Sequence, residues 1–203
     1  MANHPVVTLY ESAGSGADVI GPMLAKALRV PFVDQRLSPQ AIHEATSGKP
    51  RETWLATLLN RLGSTGAGFE ESSDAQNAAD YELIERNTHE VHEAVAQGAV
   101  ILGWNSTIVL AGRPNTLHVK LEGDVHDRML RLARTGGITP DVAMKRQVRE
   151  DLSRAEIAQR LYHWDPRLTT SFDLCLNTSR FDPETCVAII LDALGRPIPE
   201  RER

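Results

Sequence analysis

The chain has 203 residues, of which 41% are hydrophobic and 24% are charged, as is ordinary for a soluble globular protein. Its formal net charge of −5 argues against a general nucleic-acid binder, and no stretch approaches the roughly 20 apolar residues that span a bilayer. The opening residues contain neither a basic segment nor a long apolar run, so we expect no secretory signal and a cytoplasmic protein. The length suits one α/β domain with a subdomain.

The first predicted elements are a strand from Val6 to Tyr10, a turn of small residues, and a helix that runs to Leu28. Glycines in such a turn let backbone N–H groups converge, and the unsatisfied N–H groups at a helix start favour an anion. The pattern therefore predicts a phosphate-binding loop formed by Gly14, Ser15, Gly16, Ala17 and Asp18. An ordinary glycine-rich connection between a strand and a helix is the alternative.

The loop departs from the full phosphate-binding pattern GxxxxGK[ST], in which Lys reaches the β/γ-phosphates and Ser or Thr holds Mg²⁺. Aligning the glycines with that pattern puts Ala17 at the lysine and Val19 near the metal-binding hydroxyl. The first glycine becomes Glu11. Any phosphate bound here would depend on main-chain donors.

A second predicted strand, Val30 to Asp34, leaves Asp34 and Arg36 at a carboxyl end, where open α/β sheets place ligands. A solvated turn is the alternative for these residues. Residues Pro39 to Leu62 have the apolar spacing of two helical pieces. The small and polar stretch from Gly63 to Ala79 is predicted to be a substrate-side flap, or else a plain flexible insertion.

The middle of the chain is predicted to continue with a helix from Asp80 to Gln97 and a buried parallel strand from Ala99 to Leu102. His89 and His92 share a face of that helix, but no third ligand is evident, so no metal-ligating residue is predicted. The strand ends in Trp104 and Asn105, again at a carboxyl end.

The next predicted elements are a short helix (Thr107 to Leu110), a strand (Thr116 to Leu121) and a helix (Asp124 to Thr135) with Arg128, Arg131 and Arg134 mostly outward. A long helix then runs from Thr139-Pro140 to about Tyr162, with Pro in its first turn. This helix is rich in basic side chains. A salt-bridged solvent face and a lid that closes over transferring phosphate are equally good interpretations of Arg149, Arg154 and Arg160.

The last predicted elements are a strand from Phe172 to Asn177 and a helix from Pro183 to Leu194. Cys175 and Cys186 fall in these two elements and lack metal spacing. Five alternations of strand and helix imply a parallel sheet covered on both faces. We therefore expect one α/β domain over residues 1–203, with a helical acceptor-side region at 39–97 and a lid at 138–165.

Several motifs resemble the cytidylate kinase-like family of P-loop nucleoside-monophosphate kinases. They are Gly14-Ser15-Gly16-Ala17 after the first strand, Pro31-Phe32-Val33-Asp34 followed by Arg36, the run VILGWNS, Asp151 and Arg154 in the lid, and the closing FDLCLNTS. The resemblance covers nearly the whole chain. It implies a three-layer P-loop kinase fold with a five-stranded parallel sheet, helices on both faces and a helical lid.

The resemblance also implies transfer of the ATP γ-phosphate to a CMP-like acceptor, with Mg²⁺ bridging the phosphates largely through waters. On that hypothesis Arg149, Arg154 and Arg160 are catalytic and the glycine loop binds ATP. The acceptor is bound by Asp34, Arg36, Trp104 and Asn105. Nucleotides or small molecules are the expected partners, whereas nucleic acid and membrane are not.

The chain departs from the family pattern where the chemistry would occur. Glu11 stands where related chains that lack the lysine often carry Arg, Trp104 replaces a substrate-side Arg, and Leu152 replaces a lid Lys. An apolar ring cannot replace a planar, bidentate phosphate partner. Two alternatives therefore stay open: a catalytically degenerate nucleotide-binding or regulatory protein, and a small-molecule kinase with a non-nucleotide acceptor.

Overall fold

The computed structural model describes residues 4–34, 74–103 and 105–196. Contacts divide the chain into two compact units, one of Met1–Gln35 with Thr88–Arg203 and one of Arg36–Asn87. The first unit contains the sheet and the candidate site. No helix in the described ranges is both long enough and apolar enough to cross a bilayer.

The described ranges contain five strands, six α-helices and one short 3₁₀ turn (Thr169–Ser171). In chain order the elements are β1 (Val6–Glu11), α1 (Ala17–Leu28), β2 (Phe32–Asp34), α2 (Asp74–Ala94), β3 (Ala99–Leu102), α3 (Ser106–Val109), β4 (Thr116–Glu122), α4 (Val125–Gly136), α5 (Pro140–Tyr162), β5 (Leu174–Asn177) and α6 (Pro183–Leu194).

The five strands form one parallel sheet in the order β2-β3-β1-β4-β5. β1 is the central strand, with Val6 opposite Ala99 of β3 on one side and Thr116 of β4 on the other. Its six residues are all buried, as expected of a strand covered on both faces. The loop that follows β1 therefore lies at the carboxyl edge of the sheet, where such folds bind ligands.

Alternate residues of β1 face two separate cores. Leu9 faces the layer of α1 and α6, where it packs in one cluster with Leu24 and Ile190. Val6 faces the opposite layer, where it packs with Val91 and Ile101. This three-layer arrangement confirms the predicted α/β fold with helices on both faces of the sheet.

Predicted boundaries match the structure closely where the apolar pattern is strong, as in β3 and α6. Two expectations were wrong. Helix α2 begins at Asp74, inside the stretch Gly63 to Ala79 that was predicted to be a flap or a flexible insertion. The prediction missed this start because the first turns of the helix are polar and lack an apolar stripe. Arg128 was expected to face outward but is only 7% exposed, since it contacts the loop after β1.

Some predictions concern residues outside the described ranges. These include Arg36, Trp104 and the helical pieces between Pro39 and Leu62. The single domain over 1–203, the acceptor-side region at 39–97 and the lid at 138–165 stay predictions.

Because Leu9 is fully buried in the centre of the sheet, we expect Leu9→Ala to lower the free energy of unfolding by about 2–5 kcal/mol. Leu130→Ala is the matched control, since Leu130 is 39% exposed on α4. Urea unfolding of the two variants measures the difference. Equal losses would contradict the assigned core.

Candidate functional site

The loop between β1 and α1 turns on two glycines with left-handed backbone. Gly14 has φ +83° and Gly16, the N-cap of α1, has φ +86°. A Cβ on Gly14 would lie 2.3 Å from the carbonyl oxygen of Arg128, whereas a Cβ on Gly16 would meet nothing within 4 Å. Gly14 is thus required by both its conformation and the close approach of α4, and Gly16 by conformation alone.

The side of the loop that carries the N–H groups of Gly16, Ala17 and Asp18, which we call the inner side, offers backbone donors. The Ser15 N–H donates to the Ser12 carbonyl at 2.9 Å, and the Val19 and Ile20 N–H groups donate to the Gly16 carbonyl. Within the described ranges, no acceptor is found for the N–H groups of Gly16, Ala17 and Asp18. Such groups at the start of a helix form a site for an anion.

Ser15 adds a polar side chain to this arrangement. It is fully buried, and its Oγ has no hydrogen-bond partner among the described residues. A buried hydroxyl left without a partner is costly, and a ligand oxygen or an ordered water that reaches it would satisfy it. The loop therefore combines main-chain donors with one hydroxyl that a phosphate oxygen would satisfy.

Side chains from α4 and α5 contact the outside of the loop. The Ala13 N–H donates to Asp151 Oδ1 at 2.7 Å, and Arg128 Nη1 donates to the Ala13 carbonyl at 3.0 Å. Arg128 Nη1 also lies 2.9 Å from Asp151 Oδ2, and its Nε donates to the Gly123 carbonyl at 3.1 Å. The two helices and the loop are thereby joined by one charged network.

Arg131 makes a second connection from α4. Its Nη1 donates to the Gly14 carbonyl at 2.8 Å and to Thr178 Oγ1 at 3.0 Å, and its Nη2 donates to the Thr178 carbonyl at 2.6 Å. The loop after β5 is therefore linked to the loop after β1 through one guanidinium group.

Arg154 lies among carboxylates close to the end of β1. It is 3% exposed, and its guanidinium donates to Asp151 Oδ1 and to Glu150 Oε2, both at 3.1 Å. Glu11, which is 5% exposed, has Oε1 3.8 Å from Arg154 Nη2. A charge this deeply buried requires such partners. Glu11 thus adds a negative charge to a loop that has no lysine.

The C-terminal half of α5 is packed against the sheet. Ala158 joins a buried cluster with Tyr10, Trp164 and Phe172, whose ring centroids lie 5.7–6.0 Å apart. Burial raises the pKa of Tyr10 above its ordinary value, so its hydroxyl stays protonated. Lys120 lies beside the rings and pairs with Glu122 at 2.8 Å. This packing holds Arg154 beside the loop.

The structure brings some predicted site residues together. Gly14 to Asp18 form one turn, and Arg154 lies near it. Arg149 and Arg160 are exposed on α5. Asp34 is exposed at the end of β2, and Asn105 precedes α3, where its Oδ1 is buried with no partner found in the described ranges.

Sequence reasoning missed Arg128 and Arg131 as residues of the site. The apolar residues Met129 and Leu132 alternate with them, and α4 is short, so helical spacing alone could not decide which arginines face the loop. The signal available was the i, i+3 spacing of the pair, which places both on one face.

The carboxylates nearest the loop contact guanidinium groups, and Val19 carries no hydroxyl. Among the described residues, no group of three or more His, Cys, Asp or Glu side chains is placed to hold a metal ion. The described side chains therefore do not provide a resident metal site.

Comparison with known proteins supports the fold and the family. The model of the cytidylate kinase-like family matches residues 6–180, which include the glycine loop and the closing strand. The chain belongs to the cytidylate kinase-like family.

Solved structures similar to this family member share its fold at low sequence identity. One is an uncharacterized protein from Eubacterium ventriosum, with a TM-score of 0.68, 16% identity, and coverage of 95% of this chain and 98% of that one. Another is a gluconokinase from Sinorhizobium meliloti, with a TM-score of 0.53, 16% identity, and coverage of 97% and 94%. These likenesses confirm the three-layer kinase fold.

One curated relative is similar in sequence, a uronate isomerase from Corynebacterium glutamicum. It is 31% identical over 146 residues, which are 72% of this chain. The match spans 28% of that protein's length, so most of the relative lies outside it.

We expect Gly14→Ala to destabilise the protein more than Gly137→Ala. Gly137 also has a positive φ (60°), but a Cβ there would meet nothing within 4 Å. The control should lose about 1–2 kcal/mol through backbone strain alone, and Gly14→Ala should lose more because α4 must move. Denaturant unfolding tests this, and equal losses would show that α4 does not contact the loop as described.

Proposed function

We propose that this protein binds a nucleoside triphosphate at the loop from Ser12 to Asp18 and transfers its γ-phosphate to a CMP-like nucleoside monophosphate. The observation that carries the proposal is the inner side of the loop, where main-chain donors and the buried Ser15 hydroxyl lie together at the start of α1. Family membership supports a kinase-like nucleotide site in the same place.

In this proposal the N–H groups of Gly16, Ala17 and Asp18 hold the donor phosphates, with Ser15 Oγ as a further donor. The substrate is MgATP, whose metal is held by its own phosphates and by water. An acceptor phosphate oxygen attacks the γ-phosphorus in line, the bond from that phosphorus to the β,γ-bridging oxygen breaks, and ADP leaves. Positioning and electrostatics supply most of the catalysis in such transfers.

Arg154 is a buried cation whose Nη2 lies 3.8 Å from Oε1 of Glu11, the last residue of β1. We propose that it exchanges carboxylate partners for phosphate oxygens and spreads the transition-state charge, with Arg149 and Arg160 approaching from the same helix. Asp34, Arg36, Trp104 and Asn105 are the proposed acceptor-binding residues. A guanidinium suits both partners because it binds carboxylate and phosphate with the same planar geometry.

A catalytically degenerate nucleotide-binding protein is the second candidate. It is favoured by Arg154, whose guanidinium already lies among Glu11, Glu150 and Asp151. Ala17 leaves the loop without the lysine that normally reaches the β/γ-phosphates. Such a protein would bind ATP without turnover.

A small-molecule kinase with a non-nucleotide acceptor is the third candidate, and the curated relative favours it. That relative is named as a uronate isomerase, an enzyme of sugar acids. A sugar acid offers a hydroxyl that could receive the phosphate and a carboxylate that an arginine could bind.

A coupled assay for ADP release separates these candidates. We expect turnover with CMP or dCMP in a panel that also contains UMP, AMP, gluconate and glucuronate. Turnover confined to a sugar acid would favour the third candidate. ATP binding in calorimetry without any turnover would favour the second, and an absence of ATP binding would rule out all three.

We expect Arg154→Ala to lower turnover by about 10³-fold or more, the loss typical of an arginine that stabilises a transferring phosphoryl group. Arg154→Lys keeps the charge but not the planar fork, so it should recover only part of the rate. Exposed Arg134 of α4 provides the control substitution, Arg134→Ala. Because removing Arg154 leaves Glu11 with one cation fewer, circular dichroism must first show that each variant is folded. A folded Arg154→Ala variant with an unchanged rate would contradict the assignment.

A further inference from the structure

Three consecutive peptide groups at the tip of the loop are each held from outside by a charged side chain. Asp151 accepts the Ala13 N–H, Arg128 donates to the Ala13 carbonyl, and Arg131 donates to the Gly14 carbonyl. We call Arg128, Arg131 and Asp151 the outer clamp. The contact between Arg128 and Asp151 closes a ring of hydrogen bonds through both polar groups of Ala13.

Because each peptide is planar and trans, the contacts on the outside of the loop determine which N–H and C=O groups point to the other side. The C=O of one residue and the N–H of the next point in opposite directions across a planar peptide, and no described peptide is cis. With the Ala13 carbonyl held by Arg128, the Gly14 N–H faces away from Arg128. With the Gly14 carbonyl held by Arg131, the Ser15 N–H faces away from Arg131.

The third peptide follows the same rule. Because the Ala13 N–H is held by Asp151, the Ser12 carbonyl faces away from Asp151, and there it accepts the Ser15 N–H at 2.9 Å. The three side chains together fix which loop groups face outward and which face inward. The left-handed conformation of Gly14 depends on this arrangement, since Gly14 lies between the two held carbonyls.

We propose that the outer clamp fixes the turn from Ser12 to Ser15, and so positions the N–H groups of Gly16, Ala17 and Asp18 that follow it for an anion, in a chain that has no loop lysine. Arg128 and Asp151 act as positioning residues, through the backbone of Ala13, and not as ligands of the phosphate. The inference rests on the proposed function, because it names what prepares that site.

Burial and charge both favour positioning over direct binding. Arg128 is 7% exposed and its hydrogen bonds go to Ala13, Gly123 and Asp151. Asp151 carries a negative charge, so it would repel a phosphate rather than bind it. Preorganised donors bind more tightly because less ordering is required when the ligand arrives.

The test measures binding of two probes, MgATP and tripolyphosphate, by calorimetry on the full chain. Variants Asp151→Ala and Arg128→Met each break the ring, and the double variant removes both side chains. Asp151→Asn is the conservative variant, since its amide oxygen can still accept the Ala13 N–H. Matched controls are Glu156→Ala on α5 and Arg134→Met on α4, both at exposed positions.

We expect each single variant to weaken binding of both probes by about 10- to 100-fold, because the Ala13 backbone is no longer held in place for binding. Asp151→Asn should recover part of that loss, and the controls should stay within about twofold of the parent. Because both residues hold Ala13 and also bind each other, the double variant should lose little more than a single one. Losses that multiply in the double variant would mean independent contacts with the ligand and would overturn the inference.

Hydrogen exchange of the loop gives a readout that does not require a ligand. Backbone amides of residues 12–18 should exchange faster in Asp151→Ala than in Glu156→Ala, while amides of α6 exchange equally in both. Unchanged exchange of the loop amides in Asp151→Ala would overturn the clamp. Tighter binding of tripolyphosphate by Asp151→Ala would also overturn it, because that result would show that the Asp151 carboxylate competes with the ligand.

Different results would overturn the proposed function and the outer clamp. If the parent protein binds neither probe at millimolar concentration, the proposed function is wrong. The exchange measurement then decides on the clamp alone: faster loop exchange in Asp151→Ala supports it, and unchanged exchange overturns it.

Discussion

The hydrogen bonds that Asp151 and Arg128 make to the backbone of Ala13 connect the glycine loop to two helices. Asp151 comes from α5, Arg128 from α4, and Ala13 from the loop that follows the central strand. Without these contacts, the described contact of α5 with Ala13 would be lost, and α4 would contact the loop through Arg131 and its close approach to Gly14. The position of the loop thus depends on charged groups that are far apart in the sequence but share one edge of the sheet.

The same network sets the electrostatics of the site. Three carboxylates, from Glu11, Glu150 and Asp151, surround Arg154, and Asp151 also contacts Arg128. An incoming phosphate therefore meets guanidinium groups that already have anionic partners. Ligand binding is favourable only if a phosphate replaces those carboxylates as the partner of a guanidinium group, because an unpaired charge is costly in a buried site.

The sequence predicts the fold well because apolar runs at β1, β3 and α6 have the period of the elements they form. The glycine loop is also predictable, since its chemistry is local. The contacts of Arg128, Arg131 and Asp151 are not, because they join residues more than a hundred positions apart or lie on faces that helical spacing leaves undecided. Glu11 shows the same limit: its burial beside Arg154 depends on the docking of α5.

Every proposed role in this site depends on phosphate binding to the main chain of the loop after β1, without a lysine. Backbone amide chemical shifts recorded during a titration with MgATP measure that binding. We expect saturable shifts concentrated at residues 14–18, with no comparable change in α6. Unchanged loop amides at millimolar MgATP, or shifts confined to another part of the chain, would contradict it.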